Sequence, residues 1–288
     1  MQINGKTKVM GLMGNPVEHT MSPVIHNTIA KLLGENMVYV PFLVEDVEQA
    51  VSGAFQLNLQ GMNVTVPHKS AVIPYLTQMD AEAEVIGAVN TLVRTENGFK
   101  GYNTDMPGLY RALLSEGIEI EGNPVMVIGA GGAARAAAFL CAWKKAKQIV
   151  ILNRTVEKAE NVVSEIKEKT GFDNIKAVGI SEWKDIEGAG YIVLQATKAG
   201  LYPDVEKTPI EDKAFFEKVS VVYDLIYTPS ETRFMKMARE QGVKAYHGLK
   251  MLLYQAVLAY EYWNDVTVPV EVIDQTYDVL KKECNINE

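Results

Sequence analysis

The chain has 288 residues, 48% of them hydrophobic and 22% charged, the balance of a soluble globular protein with room for two domains. A net charge of −8 and the lack of any basic stripe argue against a nucleic-acid partner. No apolar signal region opens the chain, no stretch approaches a membrane span, and Cys141 and Cys284 fit neither a disulfide framework nor a metal-ligand spacing, so a cytoplasmic protein without a metal site is expected.

In chain order, Lys8 to Met13 reads as a strand. Ser22-Pro23 then reads as an N-cap and a proline at the first helical position, opening a helix to about Leu33. Met37 to Val44 is a strand, Glu45 to Leu57 a helix, and Gly61 to Val66 a strand stopped by Pro67. Helical stretches run on to Ile86. Thr91 to Thr95 and Phe99 to Tyr102 flank Asn97-Gly98, a hairpin signal, and Thr104 caps a helix to Glu116. This half reads as a mixed sheet carrying helices. The second half begins near Asn123-Pro124. It alternates strands at Val125 to Ile128, Gln148 to Leu152, Lys176 to Val178, Tyr191 to Ala196 and Val219 to Leu225 with helices at Ala133 to Lys145, Val156 to Lys169 and Glu231 to Gln241. That alternation describes a doubly wound parallel sheet. Tyr202 to Phe216 has no readable pattern, and a last apolar helix spans Leu249 to Trp263.

Three clusters carry chemistry. At the end of the Gly61 to Val66 strand, Asn63, Thr65 and Lys69 alternate with Val64 and Val66. Either this is an edge strand with a solvated face, or an amide, a hydroxyl and an amine converge on one place. Gly14 to Pro23 is a loop entering a helix N-terminus, where Thr20 and Ser22 offer hydroxyls to an anion unless Ser22 only caps its helix. Apart from these clusters, the pair Asn90 and Asp105 brackets the hairpin. In the first turn of a helix Asp105 also has a plain role, complementing the helix dipole. The histidines show no ligand spacing and read as hydrogen-bonded structural residues, and Cys141 as a small buried one.

The third cluster is Gly129-Ala130-Gly131-Gly132-Ala133-Ala134, set between a strand and a helix. Gly129 permits the tight turn, Gly131 lets backbone approach a pyrophosphate, and Ala134 replaces the third glycine of a dinucleotide fingerprint. A turn of small residues that merely packs is the alternative. After the next strand stand Asn153, Arg154 and Thr155, with Lys158 one turn on, where a site for NAD carries an acid. Arginine favours the 2′-phosphate of NADP, unless Arg154 and Lys158 are only solvated charges.

Taken together, Gly14-Asn15-Pro16, Ser22-Pro23 with His26-Asn27, Asn63 to Lys69, Gly87 to Thr91, Asn103-Thr104-Asp105, Gly129 to Ala134, Asn153-Arg154-Thr155, Asp224 to Tyr227 and Gly248 to Gln255 make the chain resemble the shikimate dehydrogenase family over nearly its whole length. The resemblance implies an α/β protein: a substrate-binding mixed α/β domain over 1–106, a Rossmann NADP domain over 107–245, and helices over 246–288 returning to the first. It implies NADP-dependent interconversion of shikimate and 3-dehydroshikimate on the path to aromatic amino acids, by a monomer or homodimer. Lys69 is then the catalytic residue with Asp105 beside it. Thr20 and Ser22 bind the carboxylate with Tyr227 near, and Thr65, Asn90, Asp105 and Gln255 bind ring hydroxyls. Gly129, Ala130, Gly131, Gly132, Ala133, Asn153, Arg154, Thr155 and Lys158 match cofactor segments, and Leu225 and Gly248 match the nicotinamide end. Thr20 departs from the family's more frequent serine, its methyl narrowing the pocket in a way that bears on shikimate against bulkier quinate. Gln195 is one methylene longer than the usual asparagine, and Lys198 is unexpected in its place. A quinate/shikimate dehydrogenase using NAD, another NADP oxidoreductase on the same scaffold, and a metabolite-binding regulator without turnover stand as alternatives.

Overall fold

The computed structural model describes residues 3–286. It divides into two compact units: the chain up to Gly108 together with the chain from Leu253 onward, and Leu109–Leu252.

The first unit contains β1 (Lys8–Gly14), α1 (Ser22–Leu32), β2 (Met37–Leu43), α2 (Val47–Gln56), β3 (Gly61–Val64), β4 (Gln78–Met79), α3 (Ala81–Ile86), β5 (Thr91–Thr95) and β6 (Gly98–Tyr102). The sheet order is β2-β1-β3-β5-β6-β4. β1 runs parallel to β2 and β3, while β5 is antiparallel to β3 and β6, so the sheet is mixed as expected. β3 is an interior strand with every residue buried, which removes the reading of a solvated edge. It ends at Val64 rather than Val66, and Val66, at 66% exposure, points to solvent. The core on one face gathers Met13, Met62, Val64, Leu92 and Phe99.

Several local expectations give way to tertiary structure. Met21, not Ser22, occupies the N-cap of α1, and Ser22 is buried in the first turn. The hairpin turns on Glu96-Asn97, because strand register pairs Thr95 with Gly98. The helical stretch before Ile86 breaks into a 3₁₀ turn at Ile73–Tyr75, the short β4 and α3. Thr104 is turned toward Asn90, and Asn103 Oδ1 accepts the N–H of Asp105 at 3.0 Å.

α4 (Asp105–Ser115) leads the chain into the second unit, which continues with β7 (Pro124–Ile128), α5 (Gly132–Trp143), β8 (Gln148–Asn153), α6 (Val156–Thr170), β9 (Ile175–Gly179), β10 (Tyr191–Gln195), β11 (Val219–Asp224), α7 (Arg233–Glu240) and β12 (Lys244–His247). All six strands are parallel in the order β12-β11-β10-β7-β8-β9, the doubly wound arrangement with its switch point between β7 and β10. Val125, Val127, Ile149 and Ile151 are fully or nearly fully buried, as strands covered on both faces require. β12 was not anticipated, and Tyr202 to Phe216 proves to be loop running into a 3₁₀ turn at Lys213–Lys218. α8 (Leu249–Asn264) takes the chain back to the first unit, where α9 (Val270–Glu283), absent from the element-by-element reading but within the helices implied over 246–288, packs on α1. Among the described residues no helix is long and apolar enough to cross a membrane.

Candidate active site

In the first unit, the C-terminal ends of β1 and β3 and the facing ends of β5 and β6 deliver the polar residues. Lys69 follows β3 by a short turn, held where its carbonyl accepts the N–H of Val89 at 2.8 Å. Its Nζ lies 2.6 Å from Asp105 Oδ2, with side chains 32% and 23% exposed. That depth lets both groups meet a ligand while limiting screening by water. Asp105 Oδ1 accepts from Asn90 Nδ2 at 2.9 Å, and the same amide reaches Gln255 Oε1 at 3.5 Å. Gln255 comes so close because Gly108 of α4 has no side chain: a Cβ there would lie 2.8 Å from the Gln255 backbone. Lys69, Asp105, Asn90 and Gln255 are therefore one cluster drawn from four distant parts of the chain.

Thr20 and Ser22 stand together at the start of α1. The Thr20 hydroxyl donates to Ser22 Oγ at 3.2 Å and accepts the Ser22 N–H at 3.3 Å. The pair presents hydroxyls at the positive end of a helix, as an anion site does. Thr65 is half-buried just past β3, its N–H donated to Met13 O at 2.9 Å. Tyr227 belongs to the second unit and is half-buried after β11.

Asn63 has no role in the expected ligand set, yet it sits at the centre of this unit's polar interior. Its Oδ1 accepts from the Tyr39 hydroxyl at 2.7 Å, and its Nδ2 donates to Asn90 O at 3.2 Å and Thr91 Oγ1 at 3.1 Å. Tyr39 gave no sign in the sequence, and Thr91 showed only as the end of the Gly87 to Thr91 motif and the start of a strand. What brings them to Asn63 is strand pairing: Asn63 lies opposite Thr91 across β3 and β5. His26 corrects the expectation of a hydrogen-bonded histidine. It is fully buried, neither ring nitrogen has a hydrogen-bond partner, and it stacks on Tyr39 with ring centroids 4.3 Å apart. Burial drops its pKa to about 3, so the ring is neutral. His68 bonds Val44 O at 2.8 Å, and Cys141 is buried, which pushes its thiol up to about 12.

In the second unit the loop after β7 turns at Gly129, whose φ of 118° excludes ordinary side chains and which faces Ala196 O. Gly131, Gly132 and Ala133 are exposed at the start of α5, and Ala130 is half-buried. Ala130, Gly131, Asn153, Arg154, Thr155 and Lys158 line one groove of about 210 Å³. Among the described residues neither Arg154 nor Lys158 pairs with a carboxylate, and the Thr155 hydroxyl makes no cap bond to α6. The loop is kept in shape by Asn153 Nδ2 donating to Thr155 O at 2.8 Å. A helix N-terminus with two uncommitted cations and a free hydroxyl suits a phosphorylated ribose. The residues present thus fit a dinucleotide carrying an extra phosphate.

Leu225 and Gly248 lie on adjacent loops, joined through Leu225 N–H to Gln195 O at 2.9 Å and Gly248 N–H to Ile226 O at 3.0 Å. Beneath them Asp224, fully buried, accepts from Thr232 Oγ1 at 2.7 Å, Ile226 N–H at 3.0 Å and Gln195 Nε2 at 3.2 Å. Gln195 Oε1 in turn accepts the Thr197 N–H at 2.6 Å, so the longer side chain spans from Asp224 to the next loop. Lys198 is exposed and unpaired among the described residues.

Burial outweighs those hydrogen bonds and pushes Asp224 up to about 6. Between about pH 4 and pH 6 the folded protein then holds a proton that the unfolded chain has released, so stability falls as pH rises through that window. Asp224→Asn keeps the acceptor for Ile226 and removes the titration. Urea unfolding from pH 4.5 to 7.5 is expected to show the variant gaining on the parent by on the order of 2–3 kcal/mol. A constant difference across the range would count against a burial-raised carboxyl.

The fold and site define a two-unit α/β oxidoreductase: a doubly wound dinucleotide-binding sheet, and a mixed-sheet unit that carries a lysine–carboxylate pair and two hydroxyls at the start of α1. Family models cover most of the chain: the shikimate dehydrogenase substrate binding domain over residues 12–92, shikimate/quinate 5-dehydrogenase over 112–214, and the shikimate 5′-dehydrogenase C-terminal domain over 248–276. A shikimate dehydrogenase (NADP+) of Desulforamulus reducens is 43% identical over 279 residues, covering 94% of this chain and 95% of that one. A shikimate dehydrogenase solved in complex with NADP+ superposes with a TM-score of 0.89 at 39% identity, covering 100% of this chain and 98% of that one. The Listeria monocytogenes shikimate 5-dehydrogenase, solved with shikimate and NAD, gives 0.87 at 34% identity, with 96% and 98% covered. The chain belongs to the shikimate dehydrogenase family.

Proposed function

We propose that this protein interconverts 3-dehydroshikimate and shikimate with NADP, in the cytoplasm, on the route to aromatic amino acids. The observation that carries the reading is the 2.6 Å Lys69–Asp105 pair, joined to Asn90 and Gln255 within the first unit. The first unit supplies the groups for a hydroxylated cyclic acid, and the second the groups for the cofactor.

Thr20 and Ser22 hold the carboxylate at the start of α1, which fixes one end of the ring. Thr65, Asn90, Asp105 and Gln255 take up ring hydroxyls, orienting the reacting carbon before chemistry begins. NADP, when bound, supplies or removes the hydride. Gly129 to Ala133, Asn153 to Thr155 and Lys158 hold its phosphates, and Leu225 and Gly248 serve its nicotinamide end. As a ketone is reduced, negative charge grows on its oxygen. A protonated Lys69 Nζ stabilises that charge and donates the proton, and in oxidation the amine takes it back. Asp105 holds Nζ in place through its 2.6 Å contact.

Initial rates at the nicotinamide absorbance, crossing shikimate and quinate with NADP and NAD in one buffer, test this. Shikimate with NADP is expected to exceed every other pair by at least about tenfold in kcat/KM. Comparable quinate turnover would show that the Thr20 methyl does not exclude the bulkier acid. An equal rate with NAD would remove Arg154 from cofactor choice, and no turnover with any pair would leave the binding-regulator alternative.

A further inference from the structure

The polar groups around Asn63 form one chain of hydrogen bonds that ends on Asp105, and two backbone groups dictate its direction. The Thr104 N–H donates to Asn90 Oδ1 at 2.8 Å, and a backbone N–H can only donate, so the Asn90 oxygen faces Thr104 and its Nδ2 must face Asp105. The Asn90 carbonyl can only accept, so Asn63 must present Nδ2 to it at 3.2 Å. Thr91 Oγ1 lies between, 2.9 Å from Asn90 Oδ1 and 3.1 Å from Asn63 Nδ2. Its single proton goes to Asn90 Oδ1, nearer than the Thr104 hydroxyl at 3.3 Å, and its lone pair receives Asn63. With Nδ2 so placed, Asn63 Oδ1 faces Tyr39, whose hydroxyl must donate at 2.7 Å. Every bond from Tyr39 to Asp105 therefore points one way. Tyr39, Asn63, Asn90, Thr91 and Thr104 are all buried, where such a chain is strong when complete and costly when broken. The far end is held by rings: Tyr39 stacks on His26 and lies 6.0 Å from Trp263, itself fixed by Nε1 donating to Leu92 O at 2.9 Å.

We propose that Thr91 is a positioning residue for the reaction, acting through Asn90 on the Asp105 carboxylate and hence on Lys69. Thr91 adds a donor at 2.9 Å to the Thr104 N–H at 2.8 Å, and together they keep the Asn90 oxygen away from Asp105, where it would repel the carboxylate that holds Lys69. Thr91 Oγ1 accepts from Asn63 and donates to Asn90 through a single atom, which serine can also do and valine cannot. The proposal rests on the reading of Lys69 and Asp105 as the reacting pair.

A double-mutant cycle in the whole protein tests it. Thr91→Val is expected to lower kcat for shikimate oxidation about tenfold, and Thr91→Ser to restore it to within about twofold. In an Asp105→Asn background the same Thr91→Val change is expected to cost less than about twofold. Equal losses in both backgrounds, or full turnover in Thr91→Val, overturn the proposal. Should Thr91→Val not fold, Tyr39→Phe carries the same cycle from the head of the chain, with an expected loss of about threefold that vanishes in Asp105→Asn. Solvent exchange of the Asn90 side-chain amide, followed by NMR, reads the anchoring without turnover. It is expected to be slow in the parent and in Thr91→Ser and fast in Thr91→Val. Unchanged exchange in Thr91→Val overturns the proposal. A parent that shows this pattern but does not turn over shikimate would sink the dehydrogenase reading alone.

Discussion

Lys69→Ala is expected to reduce kcat about 10³-fold, with less than a few-fold change in the KM for NADP. The magnitude follows from what the amine does at the growing oxyanion. A positioned general acid accounts for about 10²–10⁴ in rate, and Lys69 carries electrostatic stabilisation as well. Its Nζ makes a charge-assisted bond at 2.6 Å while the side chain stays 32% exposed, so it is aimed yet accessible. Unfolding should change little, because a partly solvated ion pair contributes about 0–1 kcal/mol. Asp105 would keep its bond from Asn90, so the cluster need not collapse. Steady-state rates beside a thermal melt separate the possibilities. A normal melt with turnover lost supports proton transfer at Lys69. A normal melt with near-normal kcat and only a raised KM for shikimate would reduce Lys69 to a binding group and sink the acid–base role.

How far the site could be read in the sequence depended on how local each signal was. The glycine loop, its strand and its helix are contiguous, and Gly129 to Ala134 lie as that pattern demands. Lys69 and Asp105 are 36 positions apart, and the family pattern, not spacing, joined them. Asn63 and Thr104 stood out for other reasons, but their linkage through Tyr39 and Thr91 had no local signal, since it exists only once β3 pairs antiparallel with β5. Secondary structure failed in the same way. Asn97-Gly98 is the stronger turn dipeptide, yet the register that sets Thr91 opposite Tyr102 moves the turn back to Glu96-Asn97. α9 buries only Ile273, Thr276 and Leu280 and leaves Val270 66% exposed, so its apolar face is too narrow to stand out among its charges. β12 is four residues long and opens on an exposed lysine, Lys244, and only the neighbouring β11 makes it a strand.

Arg154→Ala is expected to raise the KM for NADP about 10- to 100-fold while leaving the KM for NAD and the kcat with saturating NADP nearly unchanged. Arg154 is exposed at the mouth of the groove it shares with Thr155 and Lys158, and no carboxylate among the described residues competes for it. A guanidinium can grip a phosphate through two parallel bonds, which lysine cannot, so Lys158→Ala should cost less. The same exposure makes the contact sensitive to salt. The KM for NADP should climb with ionic strength in the parent and climb less in Arg154→Ala. Arg154→Asp goes further, placing a negative charge against the 2′-phosphate and offering an acceptor to the ribose hydroxyls of NAD. It should therefore reverse the preference rather than merely weaken it. If instead the KM values for NADP and NAD rise together in Arg154→Ala, the arginine grips a phosphate common to both cofactors. Discrimination would then have to come from Thr155 and Lys158.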